Sequence, residues 1–348
     1  MLDGLAHRYD LPDVAVVSGQ SSEFRLRARL AIRGRLGSPK VGLFELGTHR
    51  VVHIPHCSVH HPLINRVGAI VRRALIDTRV SCFSESAHLG LARYLQVVVE
   101  RSSQTAQVVL VGNSEAIEPL APCLDAIDGQ LGKQRHSVWF NANVQRSNTI
   151  LGPDFSHWSG PPSVIERFGG AAVHYPPGAF GQSNLDIAQQ IIEYVRSQIP
   201  DGARVSEFYA GVGAIGLSIL DRVSQLHMNE LSPHSLHGLE LGLACLDSAD
   251  RDKITVIPGA AGAAAHAASG SDMVIVDPPR KGLDPALTHF LSEQPPETVL
   301  YVSCALESLR KDIEQLIACG RLRLAALKAF NILPFTDHVE TVARFERV

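Results

Sequence analysis

Beyond about residue 180, short apolar runs alternate with segments of helical periodicity. Residues 273–276 and 299–302 are β-branched runs that stop at polar or proline-containing turns, the pattern of buried parallel strands. Strands are also expected at 205–209, 225–228 and 254–257, and helices at 184–197, from the glycines at 211–216 to Asp221, at 233–247 and at 306–318. A closing antiparallel pair is expected at 322–329 and 340–345. The order predicts an α/β fold: a doubly wound, Rossmann-like sheet with an antiparallel edge. The first half reads differently. Apolar residues alternate with arginines over 24–35, and period two predicts a strand with one buried face and one guanidinium-lined face. Strands at 41–45, 50–54, 94–100 and 106–111, with helices at 63–76 and 115–131, predict a smaller α+β domain. The expected division is a weakly patterned segment 1–22, an α+β domain 23–160 and the α/β domain 161–348.

Composition narrows the class. The chain has 348 residues, 45% hydrophobic and 19% charged, the values of a globular protein. The N-terminus has no basic leader, and no run of about 18 apolar residues occurs, so no membrane segment and a cytoplasmic location are expected. Six scattered cysteines without a CxxC pair predict reduced thiols. The net charge of −3 excludes a generally basic coat, yet residues 21–60 hold seven Lys/Arg against two Asp/Glu. Arg25, Arg27 and Arg29 therefore form a local stripe suited to phosphates. His49, His53, His56, Cys57, His60 and His61 match no closed set of four ligands, so no metal is expected.

Gly211-x-Gly213-x-x-Gly216 follows a strand, and Glu230 comes 19 residues after Gly211. A glycine turn and an acid ending the next strand form a device for adenosine-containing cofactors. It serves dinucleotides and S-adenosylmethionine alike. Glu207, Tyr209 and Asp277 supply acceptors for an amino group, which favours the methyl donor. Asp277-Pro278-Pro279-Arg280 ends one strand and Cys304 the next, and ligands of open α/β sheets sit at such strand ends.

Asp277-Pro278-Pro279-Arg280-Lys281-Gly282, Tyr301-Val302-Ser303-Cys304 and Pro334-Phe335-Thr336-Asp337-His338-Val339-Glu340 together resemble the RNA 5-methyluridine methyltransferases. Phe180-Gly181-Gln182-Ser183-Asn184 is similar to the segment that opens their catalytic domain. The resemblance covers 175–348 well and 24–150 less strongly. It implies methyl transfer from S-adenosylmethionine to carbon 5 of a uridine in tRNA or ribosomal RNA, with Cys304 as nucleophile and Glu340 as base. It further implies that Gln182, Tyr209, Gly211, Gly213, Glu230 and Asp277 hold the cofactor, and that Arg25, Arg27, Arg29 and Arg280 contact RNA. Carbon 5 of uracil is a poor nucleophile, so a thiolate adding to carbon 6 is needed to activate it, and a base must then take the carbon 5 proton.

The chain departs from the family at three places: Ala305-Leu306 where Asn-Pro is usual, Asn331-Ile332-Leu333 where Asp-x-Phe is usual, and Ala214 where many members carry asparagine. Only Cys57 lies where relatives carry most ligands of an iron–sulfur cluster, so no cluster is expected. No N-terminal β-barrel fits in 22 residues. The chain is expected to act as a monomer. Two rival readings are an RNA-binding protein that retains the fold without activity and a nicotinamide-dependent oxidoreductase using the glycine loop.

Overall fold

The computed structural model describes residues 2–348. It opens with a short helix, α1 (Leu2–Arg8), and a three-residue strand, β1 (Val16–Ser18). Seven strands then form one sheet: β2 (Arg27–Arg35), β3 (Ser38–Phe44), β4 (Val51–His53), β5 (Ala92–Glu100), β6 (Thr105–Gly112), β7 (Arg135–Ala142) and β8 (Asp154–Ser159). Their order is β4-β3-β2-β5-β6-β7-β8. Only β6 and β7 are parallel among these neighbours, because a helical crossover joins them.

Two helices, α2 (Pro62–Asp77) and α3 (Ala121–Leu131), cover one face of this sheet. In α2, Ile64, Val67, Val71, Ala74 and Leu75 recur at three- and four-residue spacing and are almost wholly buried. The α2 N-terminus is capped by the His61 ring, which accepts from the Leu63 amide at 3.3 Å.

A hairpin, β9 (Val164–Phe168) and β10 (Ala171–Tyr175), leads out of this sheet. Its turn is Gly169-Gly170, both at positive φ (55° and 92°), as a tight two-residue hairpin requires. Next come α4 (Leu185–Ser197), β11 (Ala203–Phe208), β12 (Val223–Glu230), α5 (Pro233–Leu243), α6 (Ser248–Arg251), β13 (Ile254–Pro258) and β14 (Met273–Val276). They are followed by α7 (Pro285–Glu293), β15 (Thr298–Ser303), α8 (Leu306–Ile317), β16 (Leu322–Asn331) and β17 (Glu340–Arg347). The second sheet runs β1-β16-β17-β15-β14-β11-β12-β13. It is parallel except where β17 pairs with β15 and β16. The α/β sheet with an antiparallel edge expected from the sequence is therefore present.

The structure corrects the sequence expectation in two places. The segment from Gly211 to Asp221 is not an α-helix; it holds turns and a single 3-10 turn, Gly216–Ile219. The backbone there lies directly on the sheet, and a Cβ at Gly216 would collide with the Glu207 carboxylate and Met228. Residues 1–22, in which no element was read, carry α1 and β1. Val16, Val17 and Ser18 pair in parallel with Ala329, Phe330 and Asn331 at the sheet edge.

Candidate active site

β11 has β14 on one side and β12 on the other, so the chain reverses its winding there. Such a switch point opens a crevice at the carboxyl ends of the strands. A cleft of about 1140 Å³ occupies it, reaching from the glycine loop through Asp277 to Cys304 and Glu340.

At one end, Gly211 and Gly213 take positive φ values of 59° and 85°. The Glu230 carboxylate accepts from the amides of Gly211 (2.7 Å), Leu231 (2.9 Å) and Ser232 (2.6 Å). Three of its roughly four lone-pair sites are thus engaged, and the remainder is open to a hydroxyl donor. Tyr209 adopts a φ of 61°, unusual for a residue with a Cβ. Its hydroxyl accepts from the Asp284 amide at 2.9 Å and ties the β11 tip to the loop after β14.

At the other end stand the groups proposed for reaction. β15 and β17 are antiparallel, with Ser303 opposite Thr341. The next positions along, Cys304 and Glu340, therefore face each other across the tips. Glu340 is 4% exposed, and its Oε2 is buried without a partner. Burial first, and Asp277 second, push its carboxyl up to about 8, against the opposing pull of Arg280. Burial also raises Asp277 to about 7. The Cys304 thiol is raised by burial, then by Glu340 and Asp277, while Arg280 favours the thiolate. Arg280 is exposed at the mouth, with its Nη2 3.5 Å from His338 Nε2.

The sequence-derived residues fall into three places. Gln182, Tyr209, Gly211, Gly213, Glu230, Asp277, Arg280, Cys304 and Glu340 do not merely share a domain; all but Gly213 line this one cleft, and Gly213 is buried in the loop behind it. Arg25 and Arg27 lie next to it, because the Leu26 amide between them donates to the Ser183 carbonyl at 2.8 Å. Arg29 is farther along β2, held through Nε by Gln96 at 2.9 Å.

The expected guanidinium-lined face forms only in part: Arg29 is exposed and Arg25 half-buried, whereas two arginines are covered. Arg27 stacks on the Tyr175 ring at 4.1 Å behind Gly181, with Nε and Nη2 buried and unpartnered. Arg33 is buried among Phe44, Phe83 and Tyr94. The reason is that this face of the strand is covered by aromatic side chains from other parts of the chain. The histidines have local roles: His49 pairs with Glu85, His53 with the Val41 carbonyl, and His61 caps α2.

Two residues that shape the site were not singled out from the sequence. The Asn229 amide group donates to the Ile257 and Gly259 carbonyls at 2.8 and 3.0 Å and sets the turn below Glu230. Asp312 on α8 is buried beneath the loop after β14. Its signal was present: Leu309, Asp312, Ile313 and Leu316 make one helical stripe, so a carboxylate sits where an apolar residue belongs.

The donor set of the cleft suits one cofactor charge. Glu207, Glu230, Asp277, Asp284 and Glu340 give it five carboxyl groups, and Glu207 Oε2, like Glu340 Oε2, is buried without a partner. Burial holds the Glu207 carboxyl well above its ordinary range. Such a lining favours a cationic sulfonium and ammonium and opposes a pyrophosphate. S-adenosylmethionine fits; a dinucleotide does not.

Comparison with known proteins agrees. Residues 267–348 match the family model for tRNA (uracil-5-)-methyltransferase. The chain is 34% identical over 335 residues to an uncharacterized RNA methyltransferase of Protochlamydia amoebophila, covering 94% of this chain and 87% of that relative. An uncharacterized RNA methyltransferase of Geobacter sulfurreducens is 29% identical over 332 residues, 92% of this chain, and the chain spans 65% of its length. In fold, the chain is similar to the tRNA (uracil-54, C5)-methyltransferase of Pyrococcus abyssi, whose structure is in complex with S-adenosyl-L-homocysteine. The TM-score is 0.82 at 22% identity, over 99% of this chain and 81% of that one. With the cleft and the sequence motifs in agreement, this chain belongs to the RNA (uracil-5-)-methyltransferase family, whose methyl donor is S-adenosylmethionine.

Proposed function

We propose that the protein methylates carbon 5 of a uridine in structured tRNA or ribosomal RNA through a covalent adduct with Cys304. The observation that carries this reading is the pairing of Cys304 with Glu340 across adjacent strand tips, beside a cleft that suits S-adenosylmethionine. Gly211, Glu230, Tyr209, Asp277 and Gln182 would hold the cofactor, which supplies an electrophilic methyl carbon.

The remaining chemistry belongs to this chain and the base. The Cys304 thiolate adds to carbon 6 of uracil, and the ring electrons move onto carbon 5 and the carbonyl oxygen. Once carbon 5 carries the methyl group, the Glu340 carboxylate removes the proton from that carbon. The released electron pair restores the ring double bond and expels the thiolate. A base with its pKa near 8 is matched to this work at physiological pH. Arg280, next to both groups in charge, offsets the two carboxylates that oppose thiolate formation.

The target base has to leave its stack to reach Cys304. Exposed Phe180 stands at the cleft wall, and Arg25, Arg29 and Arg280 are available to backbone phosphates. Arg27 contributes from behind, by holding Tyr175 and Gly181 in place. In this reading residues 23–160 grip the RNA and residues 161–348 carry the chemistry.

RNA containing 5-fluorouridine tests the reading directly. Fluorine at carbon 5 is not removable as a proton, so with the methyl donor present the enzyme should stall as an adduct stable on a denaturing gel. Sequencing the trapped RNA identifies the target nucleotide. Cofactor binding without any adduct on bulk tRNA or ribosomal RNA would point instead to an RNA-binding protein that has lost the reaction.

A further inference from the structure

The loop from Asp277 to Asp284 brings Asp277 and Arg280 to the reactive end, while β15 and α8 bring Cys304. These are separate stretches of chain, and all three of these residues are exposed or half-buried. One side chain joins them. The Asp312 carboxylate, 2% exposed on α8, accepts through the same oxygen from the Leu283 amide at 2.8 Å and from the Tyr301 hydroxyl at 2.7 Å. Leu283 closes the loop; Tyr301 lies three residues before Cys304 and is wholly buried.

The contact is shaped for this purpose. Gly282 has a φ of 87° and turns the loop so that its backbone lies on the Asp312 carboxylate, where any Cβ would collide. The neighbouring Asp284 amide is held separately by Tyr209. The loop is therefore fixed at adjacent residues to two strands, β11 on the cofactor side and β15 on the nucleophile side. A buried carboxylate is a costly way to fill an apolar helix stripe, and here its oxygen spans the two halves of the reactive end.

We infer that Asp312 is a positioning residue for methyl transfer: it sets the distance between Cys304 and the Asp277–Arg280 loop through Tyr301 and Leu283. This inference rests on the reading of Cys304 as the nucleophile. It assigns Asp312 no contact with substrate or cofactor.

The test compares Asp312→Asn, Asp312→Leu and Tyr301→Phe with the parent enzyme, using kcat, the KM for each substrate and the rate of adduct formation on 5-fluorouridine RNA. Asparagine retains an oxygen that accepts from both donors, so Asp312→Asn should keep kcat within a few-fold. Leucine fills the space without accepting. Asp312→Leu should lose about a hundredfold in kcat and in adduct rate, the cost of misplacing reacting groups by about 1 Å. The KM for S-adenosylmethionine should rise by less than kcat falls, since Asp277 lies on the displaced loop but Glu230 and Gly211 are held independently. Tyr301→Phe removes one arm only and should lie between them. Should Asp312→Leu fail to fold, Asp312→Asn and Tyr301→Phe still order the series. Equal kcat and adduct rate in folded Tyr301→Phe and parent enzyme, with only the melting temperature lowered, would overturn the inference. A parent enzyme that forms no adduct would instead overturn the underlying reading.

Discussion

Arg33 and Arg93 in the seven-stranded sheet are buried about as deeply as Glu207 and Glu340 in the cleft, at 9%, 3%, 2% and 4% exposure. Their surroundings differ. Arg33 donates to Glu85, to the Tyr94 hydroxyl and to the carbonyls of Ile32 and Arg93, with three aromatic rings around its guanidinium plane. Arg93 donates to the carbonyls of Asn143 and Gln145 and lies 4.3 Å from the Phe83 ring. Of their fully buried nitrogens, only Nε of each lacks a partner. In the cleft, by contrast, Glu207 and Glu340 each leave a carboxylate oxygen unmatched, and burial raises both. A charge satisfied within the fold holds the fold together. A polar group left unsatisfied is available to a ligand, and the protein is less stable for keeping it.

The sharpest division comes from removing one group of each kind. Cys304→Ala should abolish turnover, by a thousandfold or more, and eliminate the covalent adduct while leaving chemical unfolding nearly unchanged. Residual adduct on the gel would mean that another thiol attacks. Glu340→Gln should stall after addition, so that ordinary uridine RNA accumulates as a methylated adduct. The same substitution should stabilise the protein at alkaline pH. Glu340 binds its proton more tightly folded than unfolded, so its contribution to stability is fully present below about 4.3 and is lost as the pH rises through about 8. Urea unfolding at pH 9 should therefore favour the glutamine variant by up to about 5 kcal/mol, with little difference at pH 4. Equal stability at both values would show that Glu340 is not held protonated.

Arg33→Ala tests the other side of the comparison. It strands Glu85 and Tyr94, and should cost about 2 kcal/mol in urea unfolding, less than a fully buried pair because Glu85 is partly solvated. The kcat of the folded fraction should be unchanged; a fall would link the aromatic stack to catalysis. The smallest effect is expected at Glu230→Gln. The variant keeps an oxygen for some of the three amides but loses charge, and should raise the KM for S-adenosylmethionine about tenfold with kcat preserved.

The legible parts of the chain were those whose signal is local. The runs at 273–276 and 299–302 are buried on both faces, so each reads as a strand wherever it is placed. The cysteine, the double proline and the glycine loop sit at strand tips, and a strand tip is visible in the residues themselves. What was not legible depends on distant partners. That Cys304 faces Glu340 follows from the register of β15 against β17, which no window of sequence contains. The arginines of β2 alternate as a solvated face would, and only the arrival of Tyr175 at Arg27, and of Phe83 and Tyr94 at Arg33, covers those two. Gly169-Gly170 did carry a hairpin signal, but the strands beside it are short and unremarkable in composition.

The pairing of β1 with β16 has a consequence for how the molecule comes into being. Residues 16–18 meet residues 329–331, so the sheet that bears the active site takes its edge strand from near the start of the chain and its neighbour from near the end. During synthesis the first segment must wait, its partner unmade, until residues 329–331 have emerged. Contacts of such sequence separation form late and slowly, so the seven-stranded sheet, whose strands lie within residues 27–159, has time to assemble first. The growing chain would then hold a folded seven-stranded sheet before it holds the completed cleft.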